Sequence, residues 1–172
     1  FDLIYGLPHQ NQQTMAETLR KVNSLRPDRI ACYNYAHLPQ RFSSQRSIDR
    51  LTLPEPEEKL MLQQMISHTL QDAGYLHIGM DHYVLPDDEL AIALREGRLQ
   101  RNFQGYSLHM ADDLLGLGVS AISQIGDFYL QNERDLENYY NLMETDQQPF
   151  TRGCKVSLED KLRRHIIMRL IS

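Results

Sequence analysis

The sequence contains no tryptophan and only two cysteines, Cys32 and Cys154, among 172 residues. So distant a pair makes neither a disulfide framework nor a metal-binding spacing, and a reducing compartment is the natural expectation. No apolar run approaches the roughly 18 residues that a membrane-spanning helix requires. The formal net charge of -5 is mild, and the basic residues are scattered among acids, so the sequence carries no electrostatic footprint for nucleic acid. A phosphate-binding glycine loop is missing too: Gly116-Leu117-Gly118 begins like a dinucleotide fingerprint, but Ile122 and Ser123 occupy the place of any further glycine. These absences lead us to expect a soluble, cytoplasmic protein that acts on a small molecule and binds neither nucleic acid nor membrane; a monomer is the working expectation, which no residue pattern decides. The start on Phe1-Asp2-Leu3-Ile4-Tyr5 without an initiator Met suggests an N-terminus that has been cut away.

What is present is a hydrophobic content of 41%, enough for a real core. Phe1 to Gly6 reads as a buried strand. Thr14 with Glu17 resembles a capping box, with Met15, Leu19 and Val22 on one face of the helix that follows and Arg26-Pro27 ending it. Arg29 to Tyr35 reads as the next strand. Strand, helix, strand within about 35 residues is the size of a βαβ unit, which makes parallel α/β architecture the first choice. Ala36 to Pro56 is long for a structureless connection and suits a lid or substrate loop. Glu57 to Ala73 is the clearest helix, with Leu62, Met65, Ile66, Thr69, Leu70 and Ala73 at helical spacing and Gly74 as its stop. Tyr75 to Met80 reads as a strand and Asp87 to Arg95 as a short helix. The glycine-rich run Leu114 to Ser123 is expected to be a strand whose backbone approaches a ligand. Asn132 is expected to cap a helix bearing Leu136, Tyr139, Tyr140 and Met143. Ser157 with Asp160 opens a last helix whose apolar face needs a partner.

Four features bear on chemistry. Asp2 inside an apolar strand is unusual, because a buried carboxylate is costly unless donors surround it; a ribose diol is one partner, and capping of backbone groups at a strand end is the other reading. Asp81-His82 at a strand end has too few ligands for a metal, and a structural role is favoured. Tyr139 and Tyr140 read as half core and half surface. Arg101-Asn102-Phe103-Gln104-Gly105-Tyr106 combines aromatics, an amide and a glycine, which suits an adenine or a tetrapyrrole as well as it suits an ordinary anchored loop.

The blocks Asp2 to Pro8, Tyr33 to Pro39, Ile78 to His82, Arg101 to Tyr106 and Leu115 to Ser123, taken in series, resemble the oxygen-independent coproporphyrinogen III oxidases through nearly the whole chain. The resemblance implies the later strands and helices of an incomplete (β/α) radical S-adenosylmethionine barrel over 1–154, and the beginning of a C-terminal helical domain over 155–172. It implies two cofactors, S-adenosylmethionine and a 4Fe-4S cluster. The Cys-x3-Cys-x2-Cys cluster motif is absent here and would lie upstream. In that family a 5′-deoxyadenosyl radical takes a hydrogen from a propionate of coproporphyrinogen III; two propionates become vinyl groups with loss of CO2, giving protoporphyrinogen IX. An electron donor and an acceptor are implied partners.

By the same resemblance, Asp2 meets the ribose region of the cofactor, while Ile4 and Ala36 line its adenosine. Phe103, Gln104 and Ile122 match positions around a second S-adenosylmethionine. Related haem-binding chaperones resemble one another through a His-Asn-x-x-Tyr-Trp block in place of Arg101 to Tyr106. The lack of any Trp therefore favours the oxidase. A nucleotide-binding α/β module is the other alternative, weakened by the missing glycine loop. The fragment alone is expected to be inactive.

Overall fold

The computed structural model describes residues 1–102, 105–108 and 113–171. Their contacts divide the chain into two compact units, Phe1–Gly97 and Arg98–Ser172, each described here by itself.

The first unit opens with β1 (Asp2–Tyr5), α1 (Gln12–Leu25) and β2 (Arg29–Asn34), and β1 and β2 pair in parallel, Asp2 opposite Ala31 and Ile4 opposite Tyr33. The βαβ unit read from the sequence is therefore present. It does not continue as a parallel sheet: α2 (Pro56–Asp72), β3 (Leu76–Gly79) and β4 (His82–Val84) follow, and the strand order β1-β2-β4-β3 is completed by antiparallel pairs. The physical reason is the length of the link between β3 and β4. Met80 and Asp81 form a hairpin turn, with Met80 at φ 43°, and so short a link can only return the chain antiparallel. A short helix, α3 (Glu89–Arg95), closes the unit, capped by Asp88, whose carboxylate accepts the Leu90 N–H at 2.7 Å.

Helical periodicity puts Met15, Leu19 and Val22 of α1 and Leu62, Ile66 and Leu70 of α2 against the sheet, where they meet Tyr5, Ile30, Cys32 and Tyr83 in one core. Tyr75 OH donates to the Pro27 carbonyl at 2.7 Å and ties the end of α2 to the turn before β2. The start of α1 corrects the sequence reading. Asn11 is the cap, its Oδ1 accepting the Thr14 N–H at 3.0 Å while Thr14 Oγ1 accepts the Asn11 N–H at 3.1 Å, so the box lies one turn before Thr14–Glu17. The stretch after β2, too long for a structureless connection, holds two short 3-10 turns at Ser43–Ser47 and Arg50–Thr52.

In the second unit β5 (Gln100–Asn102) pairs with β6 (Gly105–Ser107), and β7 (Ile122–Ile125), β8 (Phe128–Asn132) and β9 (Phe150–Lys155) form an antiparallel sheet. Two helices, α4 (Leu136–Glu144) and α5 (Leu158–Ile171), complete it. Cys154 and Lys155, between which the sequence suggests a domain boundary, are neighbours in β9. Asp135, not Asn132, caps α4 by accepting the Asn138 N–H at 3.0 Å. Asn132 is buried and turned the other way, its Nδ2 donating to the Gly118 carbonyl at 2.8 Å. The last helix does open as read, with Ser157 Oγ and N–H both donating to the Asp160 carboxylate.

The glycine-rich run is not one strand, and the approach it permits is to its own chain. Leu114 forms an isolated bridge with Gln124, Gly116 donates its N–H to Ser123 Oγ at 2.9 Å, and a Cβ on Gly116 would fall 2.6 Å from the Ile122 carbonyl oxygen. A Gly116→Ala variant must push two backbone segments apart, and is expected to lose about 1–3 kcal/mol in chemical denaturation, the usual range for overpacking. An unchanged midpoint would show that this segment yields freely.

Cys32 faces the core of the first unit, and burial, reinforced by the nearby Asp81 carboxylate, pushes its thiol up to about 12. Folded Cys32 thus keeps its proton where an unfolded thiol, with its ordinary value of 9.0, has lost it. The stabilisation is complete below the unfolded value and falls as pH rises from about 9 toward about 12. At pH 8 a thiol reagent is expected to modify exposed Cys154 and to reach Cys32 only after denaturation. Equal labelling of both cysteines in the native protein would contradict this.

Candidate functional site

A strand alternates its side chains, so burial of Leu3 and Tyr5 toward α1 and α2 sends Asp2 and Ile4 to the opposite face of the sheet. Parallel register places Ile4 beside Tyr33, and antiparallel register places His82 beside Ala31. Ile4 and Tyr33 are 45% and 40% exposed, so this face presents apolar and aromatic surface uncovered by either helix within the first unit. Tyr33 and His82 meet edge to face at 6.0 Å between ring centroids. Asp2 adds an exposed carboxylate at one end of the patch.

This arrangement corrects the reading of Asp2 as a buried acid. Its side chain is exposed because it shares the open face with Ile4, and no desolvation cost calls for a compensating donor. Ala36 is exposed two residues past the end of β2, at the carboxyl end of the parallel pair. Open α/β sheets bind ligands outside the carboxyl ends of their strands, so the position is chemically apt.

The fold brings Asp2 and Ile4 together on adjacent positions of one face. Ile122 belongs to the second unit, where it opens β7 opposite Gln131 and is half-buried. Phe103 and Gln104 lie outside the described residues. Sequence reasoning missed Tyr33 and His82 as members of the open face, although the two-residue alternation from Ile30 and Cys32 carries that information for Tyr33. It also missed Gln10 and Gln45, whose amides engage the backbone beside Ile4 and Ala36.

Two cofactors can be tested against these residues. An exposed carboxylate beside an aliphatic and an aromatic side chain supplies an acceptor for a vicinal diol and an apolar surface for a purine, so the open face fits a nucleoside-bearing cofactor. An iron–sulfur cluster does not fit this chain. Cys32 is buried with its proton retained, Cys154 is exposed on β9, and among the described residues no group of three or more His, Cys, Asp or Glu is placed to hold a metal. The second unit contains a cavity of about 330 Å³ lined in part by Arg101, Lys161 and Arg164. Its cations are already engaged: Arg101 stacks over Tyr106, Arg164 over Tyr129, and Lys161 pairs with Asp127. Among the described residues no helix is long and apolar enough to cross a membrane.

No family model matches the chain. Curated relatives do. The chain is 51% identical to the oxygen-independent coproporphyrinogen III oxidase of Pseudomonas aeruginosa and 49% identical to that of Escherichia coli, in each case over 99% of its own residues and 37% of the relative. With the oxidase of Helicobacter pylori strain J99 it shares 42% identity over 100% of its length and 38% of the relative's. The chain thus spans little more than a third of the length of these relatives. Its fold superposes on the solved structure of Escherichia coli coproporphyrinogen III oxidase, described as a radical SAM enzyme, with a TM-score of 0.95 and 49% identity over 99% of this chain and 39% of that one. The mixed helices and strands are therefore those of one stretch of that fold, and the chain is homologous along its length to part of the oxygen-independent coproporphyrinogen III oxidases, as its motifs imply.

Proposed function

We propose that this chain is part of a longer cytoplasmic enzyme that converts coproporphyrinogen III to protoporphyrinogen IX without oxygen, removing the carboxyl groups of two propionates as CO2. The observation that carries this reading is identity of 42% to 51% with oxidases of that name across nearly all of the chain. S-adenosylmethionine, bound with a reduced 4Fe-4S cluster, supplies the one-electron hydrogen abstraction that such a decarboxylation needs. The three cluster thiolates come from residues outside this chain. An electron donor and an electron acceptor are required partners, and we take the enzyme to be a monomer.

In this reading the residues of the chain bind and orient. The Asp2 carboxylate accepts hydrogen bonds from the ribose hydroxyls, and Ile4 and Ala36 offer apolar surface to the adenosine. Phe103, Gln104 and Ile122 line the place of a second S-adenosylmethionine. The barrel portion runs through Cys154, and a helical domain begins at Lys155.

The full-length protein, reconstituted anaerobically with its cluster, S-adenosylmethionine and a reductant, is expected to convert coproporphyrinogen III to protoporphyrinogen IX. Absence of product with an intact cluster would overturn the assignment. In the same protein Asp2→Ala is expected to weaken S-adenosylmethionine binding by about 1–3 kcal/mol in calorimetry, the range for a lost charge-assisted hydrogen bond. Asp2→Asn should retain part of that affinity. Full affinity in the alanine variant would assign Asp2 a structural role only.

A further inference from the structure

Two glutamines in the first unit make the same unusual contact at two places. Gln10 Nε2 donates to the Ile4 carbonyl at 3.2 Å, while its Oε1 accepts the Gly6 N–H at 2.6 Å and the Leu7 N–H at 3.2 Å. Gln45 Nε2 donates to the Ala36 carbonyl at 3.1 Å, while its Oε1 accepts the Leu38 N–H at 2.5 Å. Each side-chain amide therefore takes the carbonyl of one residue and the N–H of the second residue after it. On an extended chain those two groups point to the same side, and they are the pair that a neighbouring strand would satisfy. A carboxamide carries two N–H donors on its nitrogen and two acceptor lone pairs on its oxygen, both atoms on one carbon, so it can replace a strand residue where the ladder has ended.

Both clamps sit where the parallel pair ends. The last ladder bond between the two strands is Tyr35 N–H to the Tyr5 carbonyl at 2.8 Å. Past it, Gly6 turns away at φ 84° and the segment after β2 leads into the 3-10 turns. Without a partner these backbone groups would be free to bond water in several conformations. Gln10 and Gln45 fix them instead, and each reaches its target from further along the chain, four residues beyond Gly6 and nine beyond Ala36. Arg46 adds a second tie to the same loop, its Nε donating to the Pro39 carbonyl at 3.2 Å.

The residues whose carbonyls are clamped are Ile4 and Ala36, the two that the proposed function gives to adenosine. Resting on that reading, we infer that Gln10 and Gln45 are positioning residues that preorganise the nucleoside subsite, holding the carboxyl ends of β1 and β2 in the conformation that receives the purine. Neither side chain is required to touch the cofactor. Their effect is on affinity, because a subsite that is ordered before binding has less conformational freedom to lose when the cofactor arrives.

The test uses the full-length enzyme with its cluster reconstituted. Gln10→Glu and Gln45→Glu retain an accepting oxygen but replace the donor to the Ile4 or Ala36 carbonyl with a negatively charged oxygen that repels it. Each is expected to raise the Kd for S-adenosylmethionine about tenfold in calorimetry, the loss of one such bond beside a carboxylate. The KM for S-adenosylmethionine should rise in parallel while kcat at saturation stays within about twofold, the pattern of lost binding rather than lost chemistry. Cluster content and melting temperature serve as controls for folding, and where a Glu variant does not fold, Gln→Met at the same position decides by the same readout. Wild-type Kd in the glutamine variants, with Asp2→Ala still weakening binding, would reduce the clamps to loop supports and overturn the inference. Wild-type Kd in Asp2→Ala as well would remove the nucleoside site itself, and the clamps' role with it.

Discussion

Parallel pairing of β1 with β2 is the constraint on which the first unit depends. Only one register buries Leu3, Tyr5, Ile30 and Cys32 together against α1 and α2, and that register leaves Asp2, Ile4 and Tyr33 on the open side. A slip of one residue would carry Asp2 into the core and Leu3 out of it, exchanging a hydrophobic contact for an uncompensated buried charge. Core and candidate site are thus two readings of one alternation. The apolar residues that hold the sheet to the helices also determine which polar residue faces outward.

How much of this was legible in the sequence varies with the kind of force involved. The buried stripes Met15, Leu19, Val22 and Leu62, Ile66, Leu70 recur at helical spacing, so both long helices were readable in place. Their caps were less so, because Asn11 and Thr14 compete with Thr14 and Glu17 for the same role, and only geometry separates them. Strand β4 is three residues long, too short for alternation to register, and its omission turned a mixed sheet into an expected parallel one. In β9 every residue from Phe150 to Lys155 is exposed, so no burial pattern exists to read there.

The candidate site was legible in its residues but not in its physics. Asp2 stood out as a charge in an apolar strand, and the inference that it must be buried failed because a strand with one open face has no such requirement. Ile4 and Ala36 could be named only through resemblance, since nothing in an isoleucine or an alanine marks a ligand contact. Gln10 and Gln45 were not readable at all. A side chain that bonds backbone four or nine residues away depends on how the intervening loop folds, and composition carries no trace of that path.

The two units are also held by different means. In the first, a contiguous apolar core specifies the fold. Among the described residues of the second, Leu99 is buried and the other buried side chains are polar: Ser123 receives the Gly116 N–H, and Asn132 spans the same loop through the Gly118 carbonyl. Leu158, Leu162, Ile167 and Leu170 of α5 remain more than half exposed, as does Tyr140 of α4. Hydrogen bonds are directional and fix a loop's shape, but each contributes only about 1 kcal/mol net, whereas burying one large apolar side chain contributes about 1.5–3 kcal/mol. Among its described residues the second unit is therefore shaped by directional hydrogen bonds more than by burial, and the apolar side chains of α4 and α5 that stay exposed add little to its own core.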